Sequence, residues 1–192
     1  PDSFSDGGHF YGLDAALKQA ESMIVAGVDI IDIGGESTRP GAQDVSVDEE
    51  LNRVLPLIVA IRERFDIPIS VDTSKPEVMQ AAIRHKVELI NDVRALQEQG
   101  ALEVCAKTDA LVCLMHMQGQ PRTMQQAPHY NEVVQDVSMF FQQRIDVCIQ
   151  AGIARDRIIL DPGFGFGKNL EHNLSLFKHL GAFQSFNLPI LV

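Results

Sequence analysis

The chain has 192 residues, of which 45% are hydrophobic and 22% are charged, and its formal net charge at pH 7 is −10. These values fit one globular domain, or most of a larger one, with a sizeable core. The acidic balance argues against a general nucleic-acid binder, which needs a basic face, although a local group of Arg and Lys can still bind an anionic small molecule.

Apolar runs that predict strands alternate along the chain with amphipathic stretches that predict helices. Helices are expected over residues 13–26, 46–61, 74–85, 101–108, 131–150 and 170–180. Strands are expected over residues 28–33, 67–72, 87–92, 110–116 and 157–161, and residues 188–192 open another strand.

Two of the predicted helices begin with a capping-box pattern, in which the N-cap side chain and a Glu three residues later bond each other's backbone N–H groups. The first pair is Ser46 with Glu49, and the second is Ser74 with Glu77. Pro56 falls inside the first of these helices and is expected to bend it, because proline cannot donate a backbone hydrogen bond.

Near-continuous apolar strands that alternate with helices are typical of a parallel sheet buried on both faces. Two architectures fit this pattern, a (β/α)8 barrel and a doubly wound open sheet. The GxGxxG signature of the dinucleotide-binding open sheet is absent after the first strand. We therefore predict an α/β protein with a (β/α)8 TIM barrel, in which residues 1–192 form a single domain that lacks one or two strands at its ends.

Most of the predicted strands end in polar residues. In chain order these ends carry Asp32 followed by Gly34 and Gly35, Asp72, Asn91 with Asp92, His116, and Asp161. In a parallel barrel the strand ends lie at one face, where the following loops form the active site. For any single position an alternative stays open, in which Asp or Asn only caps the next helix or turn. Their succession nevertheless favours a polar binding pocket.

The loop after the first predicted strand, "GGESTRPGA", concentrates hydrogen-bonding groups. It brings Ser37, Thr38 and Arg39 to one point. The guanidinium group of Arg offers a planar fork of donors that suits phosphate or carboxylate. The pattern favours an anion-binding loop, and a glycine-rich turn with a surface arginine is the alternative.

Two later loops favour contact with a flat ligand. In "DPGFGFGK", residues 161–168, alternating Gly and Phe let the backbone approach such a ligand while Phe164 or Phe166 packs on it. In "LMHMQGQP", residues 114–121, methionines flank His116, and Met packs well on aromatic faces. The same side chains also suit plain core positions, and for His116 the core position is the favoured interpretation.

Cysteine and histidine spacing gives no sign of a zinc site. Cys105, Cys113 and Cys148 are scattered in apolar surroundings without a CxxC pair, so reduced, buried thiols of a cytoplasmic protein are expected. The histidines show neither HExxH nor H-x-H spacing. No apolar run approaches the roughly 20 residues that cross a bilayer, so no membrane association is expected. The opening "PDSFSDGGHF" does not resemble a signal peptide, and both ends look cut.

Six segments of the chain occur in the same order in one known family: "PDSFSDGG", "DIGGESTRPGA", "SVDTSKPEV", "INDV", "LMHMQG" and "LDPGFGFGK". On these motifs the chain resembles the bacterial dihydropteroate synthases, of enterobacterial or related proteobacterial type, over essentially all of its length. The resemblance implies a pterin-binding TIM barrel that is usually a cytoplasmic homodimer.

The same resemblance implies a transferase of folate biosynthesis. Such an enzyme condenses 6-hydroxymethyl-7,8-dihydropterin diphosphate with 4-aminobenzoate, uses Mg²⁺, and releases 7,8-dihydropteroate and diphosphate. Sulfonamides compete with aminobenzoate and are implied as inhibitors. The implied mechanism is a dissociative displacement, in which diphosphate leaves early and the aniline nitrogen attacks a cationic pterin methylene without a covalent enzyme intermediate.

The resemblance also implies site residues. Asp72, Asn91 and Asp161 resemble the groups that hydrogen-bond the pterin ring. Met115 and Phe166 resemble the apolar walls around that ring.

A second group of site residues belongs to the other substrate and the leaving group. Thr38 and Arg39 resemble the loop that meets diphosphate and aminobenzoate, and Phe4 and Pro40 resemble residues that line the aminobenzoate and sulfonamide site. Of all these residues, Asp72, Asp161 and Arg39 are expected to contribute to catalysis.

Some family motifs are not in this sequence. The family has an Asn-x-Thr before "PDSFSD", whose Asn is a Mg²⁺ ligand, and Ser-Arg-Lys and Arg-x-His segments beyond the position of Val192. No metal ligand is therefore expected within this chain. The isolated chain is expected to be inactive or very weak, and unstable because strand edges remain unpaired.

Two rival interpretations stay open. One is another pterin-binding barrel, such as a methyltetrahydrofolate:corrinoid methyltransferase, which shares pocket carboxylates but should lack "GGESTRPGA", "DPGFGFGK" and "PDSFSD". The other is a non-catalytic pterin-binding protein that has lost its diphosphate and Mg²⁺ machinery. The coding sequence on both sides of this segment distinguishes a complete synthase from the second possibility.

Overall fold

The described strands form one parallel sheet, in which each strand lies beside the next one in the chain. The computed structural model describes residues 9–39, 42–120 and 123–192, with side chains from residue 12 onward. The strands are β1 Ile31–Gly34, β2 Ile69–Asp72, β3 Leu89–Asp92, β4 Leu111–Met115 and β5 Ile158–Asp161. The α-helices are α1 His9–Val25, α2 Val47–Arg62, α3 Pro76–Arg84, α4 Ala101–Ala106, α5 Val133–Gln150 and α6 Leu170–Lys178. Short 3-10 helices follow α5 and α6, at Arg155–Arg157 and Leu180–Phe186.

The two faces of the sheet differ in chemistry because side chains alternate along each strand. The face toward the helices is apolar and buried, and it carries Ile31, Ile33, Ile69, Val71, Ile90, Val112, Leu114, Ile158 and Leu160. The opposite face, called the inner face here, carries Asp32, Ser70, Asp72, Asn91, Cys113, Met115 and Asp161. The registers place Gly34, Asp72, Asn91 and Cys113 side by side across β1 to β4.

The core between the sheet and the helices includes an aromatic cluster near its C-terminal end. Phe141 of α5 and Phe183 are fully buried, and their rings meet edge to face with centroids 5.5 Å apart. Phe186 makes a second edge contact with Phe141 at 6.0 Å. These contacts hold the 3-10 helix Leu180–Phe186 on α5. The helical pattern of the sequence does not predict this segment, since its order comes from packing.

The predicted alternation of strands and helices is confirmed, but each of the five strands is shorter than expected. The first begins at Ile31 rather than at residue 28, and Val28 and Ile30 are partly exposed. The second begins at Ile69, immediately after Pro68. Pro68 accepts a hydrogen bond from the N–H of Ile31 at 3.0 Å but has no N–H to donate, so the ladder does not extend further.

The last predicted strand, residues 188–192, forms only an isolated parallel bridge between Ile190 and Leu160. This bridge lies beside β5, on the side away from β4. It is the position that the next strand of a parallel barrel occupies.

The first predicted capping box is confirmed at its N-cap only, since the carboxylate of Glu49 accepts a hydrogen bond from Arg53 and not from the backbone of Ser46. Ser46 is the N-cap of α2, and its hydroxyl accepts the N–H of Glu49 at 3.2 Å. The helix then continues through Pro56 to Arg62 without interruption. The acidic residues of its first turn, Asp48, Glu49 and Glu50, interact favourably with the positive end of the helix dipole.

The second capping prediction is wrong. The N-cap of α3 is Lys75, and Pro76 occupies the start of the helix. The hydroxyl of Ser74 instead donates to the buried carboxylate of Asp92 at 2.5 Å. A buried carboxylate competes successfully for this donor, because leaving it without hydrogen bonds is costly.

Candidate active site

A cavity of about 600 Å³ opens beyond the carboxyl ends of β1, β2 and β3. Thr38 and Arg39, from the loop after β1, line this cavity together with Asp72 at the end of β2. Lys75 and Arg94 come from the loops after β2 and β3. The structure therefore brings the predicted anion-binding loop and one of the predicted pterin carboxyl groups to a single cavity.

The other residues that the sequence predicts around the pterin ring lie on or beside the inner face. Asn91 is the register partner of Asp72, and Met115 is the register partner of Asp161. Met115 is buried, and Phe166 is partly buried in the loop after β5. Asp72, Asn91, Met115 and Asp161 thus share one face at the carboxyl ends of neighbouring strands.

Asp72 has an unusual protonation behaviour. Burial raises its pKa to about 8, and four acidic neighbours add to the increase. In order of decreasing effect these neighbours are Asp32, Asp92, Glu50 and Glu36. Asp72 is therefore largely protonated at neutral pH in the free chain, and a ligand that presents N–H donors would favour its ionised form.

Asp161 is oriented by the loop that follows it. Its Oδ1 accepts the N–H of Gly163 at 2.7 Å. Burial raises the pKa of Asp161, while the hydrogen bond from Gly163 and the charge of Lys168 act in the opposite direction. The hydrogen bond from Gly163 thus fixes the carboxyl group at the end of β5.

Of the described residues predicted around the pterin ring, Asp72 lines the cavity, whereas Asn91, Met115, Asp161 and Phe166 are not in its lining. Two of the polar strand ends also lie away from the inner face. Asp92 faces the helices, is fully buried, and accepts the N–H groups of Arg94 and Leu96 at 2.8 and 2.7 Å. For Asp92 the alternative interpretation, a residue that caps the following turn, is correct. His116 is also buried, and its ring meets Phe140 edge to face at 4.9 Å. Burial and the charge of Lys168 lower the pKa of His116 to about 3, so this core histidine is neutral.

The "GFGFGK" loop is held by a buried lysine that the sequence does not predict. Lys168 is only 2% exposed, and its Nζ donates to the carbonyl groups of His116, Gly163 and Phe166 at 3.1, 2.9 and 2.9 Å. This arrangement joins the loop after β5 to the end of β4. A lysine next to three glycines gives no sequence signal for such burial, because lysine is usually exposed.

The glycines of this loop allow contact between two protein segments. Gly163 has φ of +67°, and a Cβ atom there would collide with the carbonyl oxygen of His116. Gly167 has φ of +62°, and a Cβ atom there would lie 2.5 Å from the carbonyl oxygen of Gln118. Phe164 packs against the core and meets Phe177 at 6.4 Å. The sequence predicts that the glycines of this loop let its backbone approach a flat ligand. At Gly163 and Gly167 the backbone approaches the loop after β4.

Gly35 is the point where the anion-binding loop passes over α2. A Cβ atom at this position would lie 2.7 Å from Cγ of Glu50 and 2.9 Å from Cγ2 of Val54. We expect Gly35→Ala to lower the free energy of unfolding by about 2 kcal/mol, because overpacked sites force backbone shifts. Urea denaturation measures this change. The control is Gly181→Ala, whose Cβ meets nothing within 4 Å, and an equal effect of both variants would contradict the prediction.

Three further observations concern metal binding, membrane spans and two of the predicted site residues. Among the residues that the structure describes, no group of three or more His, Cys, Asp and Glu side chains could hold a metal ion. None of the described helices is long and apolar enough to span a membrane. Phe4 and Pro40, which the sequence analysis places at the aminobenzoate site, lie outside the described residues.

Comparison with known proteins agrees with this geometry. The chain matches the family described as "Pterin binding enzyme" over residues 1–192. It is 58% identical to the dihydropteroate synthase of Escherichia coli (strain K12), and the alignment covers 100% of this chain and 68% of that protein. A Yersinia pestis dihydropteroate synthase, solved with a sulfonamide drug complex, gives a TM-score of 0.94 at 56% identity and covers 100% of this chain and 70% of that one. A Xanthomonas albilineans dihydropteroate synthase with 4-aminobenzoic acid gives a TM-score of 0.91 at 46% identity, and the match covers 99% of this chain and 67% of that one.

The whole-length family match and the polar inner face place this chain in the class of pterin-binding enzymes, and its sheet is an arc of their (β/α)8 barrel. Within that class, the chain belongs to the dihydropteroate synthase family. This confirms the predicted family and fold class, and it sets aside the corrinoid methyltransferase interpretation. The chain spans 68% of the length of the Escherichia coli relative.

Proposed function

We propose that the protein containing this chain is a transferase of folate biosynthesis. It joins 6-hydroxymethyl-7,8-dihydropterin diphosphate to 4-aminobenzoate and releases 7,8-dihydropteroate and diphosphate. One observation carries the proposal, namely that Asp72 lines the same cavity as Thr38 and Arg39. The cavity therefore offers a hydrogen-bonding carboxyl group for a pterin next to groups that bind an anion.

In this proposal the inner face binds the pterin ring. Asp72, Asn91 and Asp161 accept hydrogen bonds from the N–H groups of the ring, and Met115 and Phe166 supply apolar contacts. The registers support this grouping, since Asp72 lies beside Asn91 and Asp161 beside Met115. A carboxylate suits the amino edge of a pterin because it can accept two parallel N–H donors.

The separation of charge across the site favours a dissociative displacement. Acidic groups of the inner face, including Asp72 and Asp161, stabilise the cationic methylene that forms when the carbon–oxygen bond to diphosphate breaks. Arg39 lines the cavity and holds the departing anion. The aniline nitrogen then forms the new carbon–nitrogen bond and loses a proton to solvent. The protein contributes position and electrostatics, so no residue needs to form a covalent bond with the substrate.

The aminobenzoate site completes the proposal. Thr38, Arg39, Phe4 and Pro40 surround aminobenzoate, and a sulfonamide competes for the same place. The Xanthomonas albilineans structure contains 4-aminobenzoic acid and the Yersinia pestis structure contains a sulfonamide drug, which supports this part of the proposal.

Mg²⁺ is part of the proposed chemistry as a cofactor that neutralises charge on diphosphate. Within the described ranges no group of three or more His, Cys, Asp and Glu side chains could hold a metal ion. Proteins often bind Mg²⁺ through one or two carboxylates together with substrate phosphates, and such a site does not need a larger group.

We also propose a cytoplasmic homodimer. Helix α6 presents Leu170, Leu174 and Phe177 along one side, and they are 72%, 60% and 72% exposed. An apolar stripe with this spacing suits a second copy of the protein. Cys105, Cys113 and Cys148 are buried, unpaired thiols, which suits a reducing compartment.

The test is a turnover assay on the gene product that contains this chain. We expect 7,8-dihydropteroate to form from the two substrates, and a sulfonamide to raise the KM for aminobenzoate without lowering kcat. Binding of the pterin without turnover would contradict the proposal and would favour the alternative, a non-catalytic pterin-binding protein. Absence of both binding and turnover would contradict both functions.

A further inference from the structure

Three charged side chains form an ion network in the wall of the cavity. Nζ of Lys75 donates to one carboxylate oxygen of Glu36 and to one of Glu50. The Glu50 side chain is 1% exposed, and those of Lys75 and Glu36 are 22% and 30% exposed. The three residues come from the loop after β2, the first turn of α2 and the loop after β1, so the network joins three separate segments.

Glu36 also closes the anion-binding loop on itself. Its second oxygen accepts the N–H of Val45 at 3.4 Å, across the nine positions that separate the two residues. Arg53 of α2 donates to the carbonyl group of Gly35 at 2.8 Å, immediately before Glu36. Hydrogen bonds therefore hold the segment that carries Thr38 and Arg39 near both of its ends.

Burying the carboxylate of Glu50 at 1% exposure is costly, and this cost indicates a role for the network. An ion pair taken out of water loses its hydration and often contributes little to stability, compared with apolar residues of the same volume. Burial lowers the pKa of Lys75, but the hydrogen bonds to Glu36 and Glu50 raise it above its ordinary value, so the lysine stays charged. Apolar residues could pack here but could not fix the carboxylate of Glu36 in one orientation.

We propose that Lys75, Glu36 and Glu50 are positioning residues, which hold the Thr38–Arg39 segment at a fixed place relative to Asp72 and so determine the affinity for aminobenzoate and for sulfonamides. This inference rests on the proposed function, because it concerns the same cavity. Lys75 follows the end of β2, where Asp72 lies, by three residues, so the network joins the loop after β2 to the anion-binding loop. The three residues line the cavity, and their proposed role there is to hold the loop in place without contacting a substrate.

The test compares two Glu→Gln variants of the gene product that contains this chain. Glu36 pairs with Lys75 and accepts the N–H of Val45. Glu88 provides a matched control, since it pairs with Arg62 and accepts the N–H of Ile69 at the amino end of β2. We expect Glu36→Gln to raise the KM for aminobenzoate and the Ki of a sulfonamide together by about tenfold. The Kd of a pterin that lacks diphosphate should be unchanged when it is measured above the pKa of Asp72, about 8, where this carboxyl group is ionised with or without the charge of Glu36. Glu88→Gln should leave all three constants unchanged.

Equal constants for Glu36→Gln and Glu88→Gln would overturn the inference, while normal turnover by the wild type would leave the proposed function intact. Absence of wild-type turnover would instead overturn the proposed function. Lys75→Arg provides a second test that keeps a cation between the two carboxylates. It should keep the KM for aminobenzoate within about threefold of wild type, and a change as large as that of Lys75→Gln would also overturn the inference.

Discussion

Replacing Asp72 by Asn is expected to lower kcat/KM for the pterin substrate by about 10²–10³-fold. The carboxylate accepts N–H donors with both oxygens, whereas the amide has one acceptor and places its own donors against those of the pterin. The raised pKa of Asp72, about 8, indicates a site where charge is unfavourable until a ligand provides donors. Pterin affinity should therefore increase as the pH rises toward that value. Steady-state kinetics and a pterin binding titration measure both effects.

The matched control is Asp66→Asn, which changes an exposed carboxyl group away from the inner face. It should leave kcat/KM within about twofold of wild type. If Asp72→Asn were as active as Asp66→Asn, the inner face would not be the pterin site.

Asp72→Asn is also expected to change the stability of the fold, and the size of this change depends on pH. The fold raises the pKa of Asp72 from 3.8 to about 8, so between these values the native state holds a proton that the unfolded chain has released. The stability from this group is complete below the lower value and is lost as the pH rises through the higher one. Asn has no such dependence, so the Tm of Asp72→Asn relative to wild type should increase between about pH 4 and about pH 8. A Tm difference that does not change with pH would contradict this account.

Replacing Lys168 by Met is expected to lower the free energy of unfolding by about 3 kcal/mol. Methionine fills a similar volume but leaves the carbonyl groups of His116, Gly163 and Phe166 without their buried donor. The loop after β5 should then separate from the end of β4, and Asp161 should lose the orientation that Gly163 gives it. Guanidinium denaturation measures the stability, and pterin binding reports on the site.

Lys107→Met is the control for this experiment, because Lys107 is exposed at the end of α4. Surface substitutions of this kind change stability by no more than about 0.5 kcal/mol. Equal stability of the two variants would show that the three carbonyl groups do not depend on Lys168.

The parts of the fold that repeat along the chain could be predicted from the sequence. Runs such as Ile69–Asp72 combine apolar residues with a polar end, and this pattern requires a buried parallel strand whose last residue lies at an open edge. Residues with local signals were also predictable, such as Ser46 at the start of α2. The family motifs then linked Asp72, Asn91 and Asp161 to one ligand.

The rest of the site could not be predicted, since it depends on contacts between distant segments. Lys168 and Lys75 resemble ordinary surface lysines in sequence, and only the fold surrounds them with acceptors. Glu50 sits in the acidic first turn of α2, where a carboxylate is expected for the helix dipole alone. Ser74 matched a capping pattern but bonds Asp92, eighteen positions further along the chain. In each case a tertiary contact determines the partner of a polar group.

A crystal structure with bound 6-hydroxymethylpterin would show directly whether the inner face is the pterin site. We predict that the ring lies on the inner face, with Asp72, Asn91 and Asp161 within hydrogen-bonding distance of its polar edge and Met115 against its plane. Binding of the pterin away from these side chains would contradict the account, and the polar strand ends would then need another explanation.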